Sequence, residues 1–506
     1  MKVSQPLKSC GLDDMLSSMD PHVDASKHPR VTFPVSFLNT RSFLYAVGLF
    51  LLASTSSSVA TPPHNPYCVC EYDADRDYFP VKLNAQYANG FNIEYHKSYK
   101  KLTVQTSAGP FVTIAYLCGT PQPAGVVANT TIRIPIDSIA IESTTFLPFI
   151  RYIGKENSLF FANTDALELP ACQRNRSVQN KLSTGWSLSA VAAAVTNNSL
   201  VFTNEDLDLV LLDTYGYSGA LTTIQNDFTS HTKAIEAPQA FEKHPLGPID
   251  WLKPIAALYN AEAQAEYVVS SINARYECLK TLVAEEVPPN TPKKKVVWGN
   301  YNKFAWDPTP SYSGAVCPNY YCQMIEDAGA ELIAFPNGSP NVTEFAAAVA
   351  QADIFIYVDG NFNQSTAYQA PFMEAADIAL FTSAPPFVNK QIYDIRGGHF
   401  SGDWFEDRIA EPDVLLIDLV QIIQTGIVSG TRAKRFLRNV FTEDANDQTS
   451  RDPSKCKEDD SPYQSWLEGI CDQGAIGENA GDTVVCLPDG ATWAPTPSGR
   501  RLRDNA

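Results

Sequence analysis

His399 follows Gly397-Gly398, and a neutral imidazole on such a loop can coordinate cobalt or iron. A lone loop histidine is more often a surface residue, and His231 and His244 are weaker candidates still. Cys317-x4-Cys322 has the residue type of half a zinc site. No second Cys or His pair stands at a suitable spacing, so a local disulfide is the better reading. Asp73-x-Asp75-x-Asp77 mimics the start of a calcium loop, but Tyr78 occupies the position that needs Gly and Asn84 the one that needs Glu. Gly216-x-Ser218-Gly219 falls short of a nucleophile elbow, since Ala220 stands where Gly is required. No phosphate loop, dinucleotide fingerprint or zinc-protease helix occurs. What remains is recognition chemistry. Ser143-Thr144-Thr145 at a helix start can donate to amides or a phosphate, and a scatter of aromatics can supply flat apolar faces at low entropy cost.

These residues need a scaffold, and the chain is long enough to build one. Its 506 residues, 44% hydrophobic and only 19% charged, suit two to four folded domains rather than a disordered or coiled-coil chain. The net charge of −18 leaves no electrostatic footprint for nucleic acid. No apolar stretch is long enough for a spanning helix. Arg41, the apolar run Ser42–Ala53 and the small-residue end Val59-Ala60 have the layout of a secretory signal. Cleavage near Ala60 is expected, with an uncut signal anchor or a misplaced start codon as alternatives, because 40 residues precede Arg41.

Cysteine usage agrees with export. Leaving out Cys10, ten of the 11 cysteines remain, an even set that suggests disulfides. Cys317 and Cys322 can bridge locally. Cys456, Cys471 and Cys486 are candidates near the C-terminus, and Cys118 is a partner for Cys68 or Cys70. Glycosylation sequons stand at Asn129, Asn175, Asn197, Asn337, Asn341 and Asn363. The expected address is the secretory pathway, ending extracellular or at a cell-surface or endomembrane site.

Organisation follows from the hydrophobic rhythm. Residues 1–60 are the N-terminal extension and signal. Residues 61–133 are β-rich: Phe91, Ile93 and Tyr95 alternate, and Val112, Ile114, Tyr116 and Cys118 suggest a buried face. Residues 134–247 alternate strand and helix, with strands at Ser138–Ile141 and Leu209–Leu212 and a helix at Trp186–Val195. One long helix is expected from Pro248 to Leu282, within a linker spanning 248–286. About 35 residues would run about 50 Å, with Leu252, Ile255, Tyr259, Ala263, Val268, Ile272, Tyr276 and Leu279 on one face. Residues 287–430 repeat the β–α rhythm: strands near Val296–Gly299, Leu332–Phe335, Ile354–Val358 and Ile392–Ile395, helices at Tyr320–Ala328 and Val414–Ile423. Residues 431–506 read as a Cys-containing extension. The expected fold class is α/β: two Rossmann-like lobes joined by one long linker helix, with a β-rich start and a disulfide-rich end.

Four segments carry a resemblance. His244-Pro-Leu-Gly-Pro-Ile-Asp-Trp-Leu-Lys-Pro is similar to the linker-helix start of bacterial periplasmic binding proteins of the cobalamin, siderophore and haem class. Ser138-Ile-Ala-Ile-Glu-Ser-Thr-Thr-Phe resembles that family's first strand–loop–helix, and Tyr320-Tyr-Cys-Gln-Met-Ile-Glu-Asp-Ala-Gly its first helix of the second lobe. Gly402-Asp-Trp-Phe-Glu, followed by Glu411-Pro-Asp-Val-Leu-Leu-Ile-Asp-Leu, resembles its C-terminal signature. The likeness covers about residues 77–430, and more narrowly the chain is similar to the algal cobalamin acquisition family. Phe146 stands where the bacterial subgroup often has His, which removes one candidate metal contact.

The resemblance implies a non-enzymatic, secreted or surface receptor that closes two lobes on a metal chelate for uptake. Cobalamin is the expected ligand rather than a catalytic cofactor, and the membrane partner is unspecified. The alternatives are a ferric siderophore or haem receptor, or a metal-dependent enzyme on the same fold. Ligands of open α/β sheets sit beyond the C-terminal strand ends. The candidate binding residues are therefore Ser143, Thr144, Thr145, Phe146, Tyr215 and Tyr217 from the first lobe. The second supplies Trp298, Asn300, Tyr301, Trp306, Tyr320, His399, Phe400 and Trp404. A helix cap and an aromatic core would account for the same residues structurally.

Overall fold

The computed structural model describes residues 68–69, 71–163, 169, 173, 176–177, 179, 183–184, 207–213, 233–302, 311–358, 378–395, 397, 403–428 and 434–443. The chain divides into two compact units. One comprises Met1–Asp73 with Cys118–Thr120, and the other comprises Ala74–Leu117 with Pro121–Ala506. In the first, a Cys68–Cys118 disulfide closes a pair in which Val69 N–H donates to the Cys118 carbonyl at 2.9 Å. Gly119 turns there at φ 81°, and a side chain on it would meet the Val69 carbonyl. The pairing of Cys118 with Cys68 settles the choice the sequence leaves open.

Among the described residues the second unit holds three sheets. The first is β1 (Phe91–Tyr95), β2 (Tyr99–Thr106), β3 (Gly109–Leu117) and β4 (Thr130–Ile134), antiparallel except for the parallel β3–β4 pair. Alternation places Phe91 and Ile93 inward as expected. In β3 the expected face is corrected: Phe111, Thr113, Ala115 and Leu117 are buried, while Val112 and Tyr116 are only half-buried. Ile114 is buried as well, so both faces of this inner strand are covered and period-two patterning loses its contrast.

The second sheet is wholly parallel, ordered β7 (Ser183–Thr184), β6 (Leu159–Ala162), β5 (Ile139–Ile141), β8 (Leu209–Leu212), β9 (Lys233–Glu236). Its central strands are buried throughout, which is why they read as continuous apolar runs. A 3-10 turn, Thr144–Phe146, and helix α1 (Leu147–Tyr152) follow β5. The expected helix at Trp186–Val195 lies outside the described residues.

The third sheet is ordered β11 (Ser311–Gly314), β10 (Lys295–Asn302), β13 (Ile354–Tyr357), β14 (Ile392–Asp394), β15 (Arg438–Asn439), with β12 (Glu331–Leu332) also on β10. The pairs among β10, β12, β13 and β14 are parallel, and the edge strands β11 and β15 run antiparallel. The strand expected at Leu332–Phe335 is thus shorter and earlier. Residues 438–439, placed by the sequence in the extension, belong to this sheet. Cys317–Cys322 is a disulfide, as its spacing suggested.

The long helix is broken. A helical turn at Gly247–Asp250 leads to α2 (Leu252–Leu258), and α3 begins afresh at Glu262 and runs 25 residues to Glu286. Asn260 is the cause. It adopts φ 55°, and Ala261 N–H reaches back to the Ala256 carbonyl at 3.0 Å, the left-handed stop that asparagine tolerates. The restart shifts the helical phase, so Ala265 is buried in place of the expected Ala263, which is exposed. At 1.5 Å per residue α3 is about 38 Å long rather than about 50 Å. Its sequence contains neither Gly nor Pro, so nothing interrupts it before Glu286.

Buried charges tie α3 to its neighbours α4 (Tyr320–Asp327) and α6 (Pro412–Ile423); α5 (Val342–Val349) lies between them in sequence and covers the third sheet. Arg275 Nε donates to Asp413 at 2.6 Å, and the Tyr276 hydroxyl donates to Asp327 at 2.7 Å. Asp250 clamps the N-terminal segment: one carboxylate oxygen accepts from Gln86, Tyr87 and Ala88 N–H at 2.8, 2.5 and 3.0 Å. Lys100 reaches the Ala257 carbonyl and the Asn260 side chain and pairs with Glu262.

Candidate functional site

All strands of the second sheet run the same way, so their C-terminal ends share one edge. Glu142 and Ser143 follow β5 there, Asn163 follows β6, Asp213 follows β8, Glu236 ends β9, and Gln239 lies just beyond. Ser143 caps the 3-10 turn and shares a 2.8 Å hydrogen bond with the Thr145 hydroxyl. Gln239 Nε2 donates to that hydroxyl at 2.6 Å. Ser143, Thr144 and Thr145 remain half-buried, within reach of the edge, whereas the Phe146 ring is fully buried in the core.

The edge is rich in acceptors. Glu142 Oε2 accepts from Asp213 N–H at 2.9 Å, but Glu142 Oε1, Glu236 Oε2, Gln239 Oε1 and Asn163 Oδ1 are buried without a hydrogen-bond partner. Burial raises the Glu142 carboxyl to about 7 against the Asp213 N–H that lowers it, with the Asp213 and Glu236 charges adding to the rise. Burial likewise raises Glu236.

A second group assembles at the C-terminal half of β10. The Trp298 ring packs on Tyr321 at 4.5 Å and on Trp404 at 5.9 Å, and Tyr320 stacks beside Tyr321 at 4.2 Å. Arg408 lies in the middle, its guanidinium 4.8 Å from the Trp404 ring and 5.4 Å from each tyrosine. Its Nε donates to the Trp404 carbonyl and its Nη1 to the Tyr320 hydroxyl at 2.8 Å. Indole N–H groups of Trp298 and Trp404 are buried with no acceptor. The short helix Asp403–Glu406 packs against the Thr144–Phe146 turn, so this aromatic cluster and the acceptor edge belong to one neighbourhood.

Of the residues singled out from sequence, the structure brings Trp298, Tyr320 and Trp404 into that cluster and sets Ser143, Thr144, Thr145 and Phe146 against it. Tyr301 goes elsewhere: it packs on Tyr312 in the core of the third sheet, with Phe345 and Phe355. Asn300 is half-buried on β10. Tyr215, Tyr217, Trp306, His399 and Phe400 lie outside the described residues. His244 stacks on Tyr87 at 4.5 Å and accepts from Leu246 N–H, a structural role. Sequence reasoning missed Glu142, Glu236, Gln239, Tyr321 and Arg408. Glu142 and Tyr321 each neighbour a chosen residue, and Arg408 follows Trp404 by one helical turn, the only local signals they carry.

Behind the cluster runs a buried charge chain. Asp407 accepts from Arg151 of α1 and from Arg435, both at 2.9 Å, and the Tyr152 hydroxyl donates to Glu411 at 3.0 Å. Burial raises Glu411 to about 7, and Asp407 adds to this against the guanidinium groups of Arg435 and Arg151. Folded protein therefore holds this proton in a range where the unfolded chain, with an ordinary value near 4.5, has released it. Stability contributed here is full below about pH 4.5 and falls as pH rises toward about 7. Glu411→Gln keeps the acceptor for Tyr152 and abolishes the titration. Its stability relative to the wild type should climb between about pH 5 and pH 7.5 in denaturant melts. A difference that stays constant with pH would contradict the assignment.

No family model matches this chain, and no curated protein matches it. Among solved structures, the siderophore-binding protein BauB, bound to two acinetobactin molecules and ferric iron, aligns with a TM-score of 0.44 at 13% identity. The alignment covers 64% of this chain and 99% of that one. A periplasmic heme-binding protein from Pseudomonas aeruginosa aligns at 0.39 and 14% identity, over 57% of this chain and 92% of that one. An FhuD fold-family protein from Bacillus subtilis, the periplasmic component of a ferrichrome transporter, aligns at 0.39 and 11%, over 59% and 98%. Scores this low decide nothing about a ligand, which the chemistry of the site itself must indicate.

Proposed function

We propose that this chain is an exported, non-enzymatic receptor that captures a metal chelate, cobalamin first, for uptake by a membrane partner. In this reading the two parallel-centred sheets are lobes, α3 is the strut between them, and the chelate lies where their strand ends meet. The supporting observation is the meeting of the Asp403–Glu406 helix with the Thr144–Phe146 turn, which joins an aromatic cluster to a row of polar acceptors. A corrin or a ferric siderophore is wide, flat and partly polar, and such a surface needs both kinds of group. Among the described residues no group of three His, Cys, Asp or Glu side chains is placed to hold a bare metal ion. A chelate brings its own ligands. The Cys68–Cys118 and Cys317–Cys322 disulfides suit an oxidising compartment.

The test is a titration of the purified, oxidised protein with cyanocobalamin, haemin and a ferric hydroxamate, followed by absorbance and calorimetry. Binding of cyanocobalamin at micromolar or better affinity is expected. Binding of haemin or the ferric hydroxamate alone would replace cobalamin with that chelate. Failure of all three would overturn the reading.

A further inference from the structure

The acceptor edge of the second sheet carries a demand that nothing among the described residues meets. Glu142 follows Ile141, which is in register with Leu211, and Leu212 is in register with Glu236. Paired residues of a parallel sheet point to the same face, so Glu142 and Glu236 flank Leu212 on one face, about 10 Å apart across two strand spacings. Glu142 is 5% exposed and Gln239 is fully buried. Each keeps one oxygen without a donor, as does Glu236. Gln239 is held at the same edge by its bond to Thr145, two residues beyond Ser143. A buried acceptor left without a donor is costly, and three along one edge make a site for N–H groups. Across the junction the polarity reverses, since the indole N–H groups of Trp298 and Trp404 lack acceptors.

We propose that Glu142, Glu236 and Gln239 form a row that reads N–H donors on the rim of the bound chelate, selecting one fringed with primary amides over one fringed with carboxylates. A primary amide suits this row, since its NH2 supplies the donors that the two carboxylates and the Gln239 carbonyl lack. A carboxylate rim, as on haem, places like charge against Glu142 and Glu236 and supplies no donor. This inference rests on the chelate reading and adds the chemistry of selection to it.

Full-length oxidised protein is titrated at about pH 8, above the value of about 7 to which burial raises Glu142, with cyanocobalamin, with a cyanocobalamin derivative bearing one rim amide hydrolysed to the acid, and with haemin. Cyanocobalamin should bind at least about tenfold more tightly than either acid-bearing ligand. Glu142→Gln retains an acceptor for Asp213 N–H and replaces the unpartnered oxygen with an NH2 group. It should weaken cyanocobalamin about tenfold while leaving the mono-acid unchanged or improved, so that the preference collapses. Glu236→Gln should act in the same direction. A melting temperature at or above wild type would show that the loss is one of recognition, not folding. Equal affinity for cyanocobalamin and its acid, or an unaltered preference in Glu142→Gln, overturns the inference and leaves the chelate reading standing. Binding of haemin but not cyanocobalamin does the same. Failure of every chelate defeats both.

Discussion

Truncating Trp404 to alanine lowers the stability of this protein by about 3–5 kcal/mol, the usual cost of deleting a large buried aromatic. The ring is 1% exposed. It packs edge-on to Phe436 at 6.3 Å, tilts against Trp298 at 5.9 Å and lies under the Arg408 guanidinium at 4.8 Å. Removing it opens a cavity and strips one aromatic face from a buried cation that otherwise rests on Tyr320 and Tyr321. From sequence, Trp404 is a ligand-covering aromatic, whose loss would cost about 30- to 150-fold in affinity. Its burial directs the larger effect to folding. Chemical denaturation of the variant beside the wild type measures it, with cyanocobalamin titration on the same samples. A stability loss under about 1 kcal/mol together with weakened binding would return the ring to the ligand surface.

Asp250→Ala is expected to be at least as damaging, with a loss of about 4 kcal/mol or more. Three backbone N–H groups, those of Gln86, Tyr87 and Ala88, depend on one oxygen of this carboxylate, and each costs about 1–3 kcal/mol when left unpaired. Lys253, itself buried, pairs with the other oxygen at 2.8 Å and would be left an uncompensated charge. The total is a large part of the 5–15 kcal/mol that a typical domain possesses. Hydrogen exchange supplies the local readout: amides 86–88 should lose protection in the variant before the strands of the third sheet do. Full protection at those three amides in Asp250→Ala would refute this account of the clamp.

Much of the architecture is legible from short-range pattern. The apolar runs at Leu209–Leu212 and Ile354–Tyr357 are strands because both faces of a parallel sheet are covered, a condition that composition alone expresses. Ser143 announces the turn after β5, and Gly329, at φ 80°, ends α4 as its type requires. Five-residue spacing sufficed for Cys317–Cys322. Each of these depends on a few neighbouring residues. Where a choice depended on distant neighbours, pattern failed. The inward face of β3 has the parity opposite to the one its pattern suggests, because Ile114 is buried along with Phe111, Thr113, Ala115 and Leu117 and the period-two contrast is weak. The break at Asn260 escapes the pattern because an apolar face can be drawn through it at nearly helical spacing, although Asn is suited to a left-handed stop.

Sequence by itself determined the class of this protein: alternating strands and helices, a β-rich start, a long helix between two β–α segments and a chain suited to oxidation. Those features are set by periodicity, caps and composition, which are local and additive along the chain. Tertiary structure alone decided which polar groups go unpaid and which aromatics meet. Glu142, Glu236 and Gln239 lie up to 97 positions apart in a chain that brings them to one edge only because β5, β8 and β9 are parallel neighbours. Arg408 is an ordinary charged residue in sequence. It becomes a buried cation among Trp404, Tyr320 and Tyr321 because the short helix at 403–406 packs beside α4 and β10. Burial and the absence of a partner are properties of the surroundings, and no spacing of residue types encodes them.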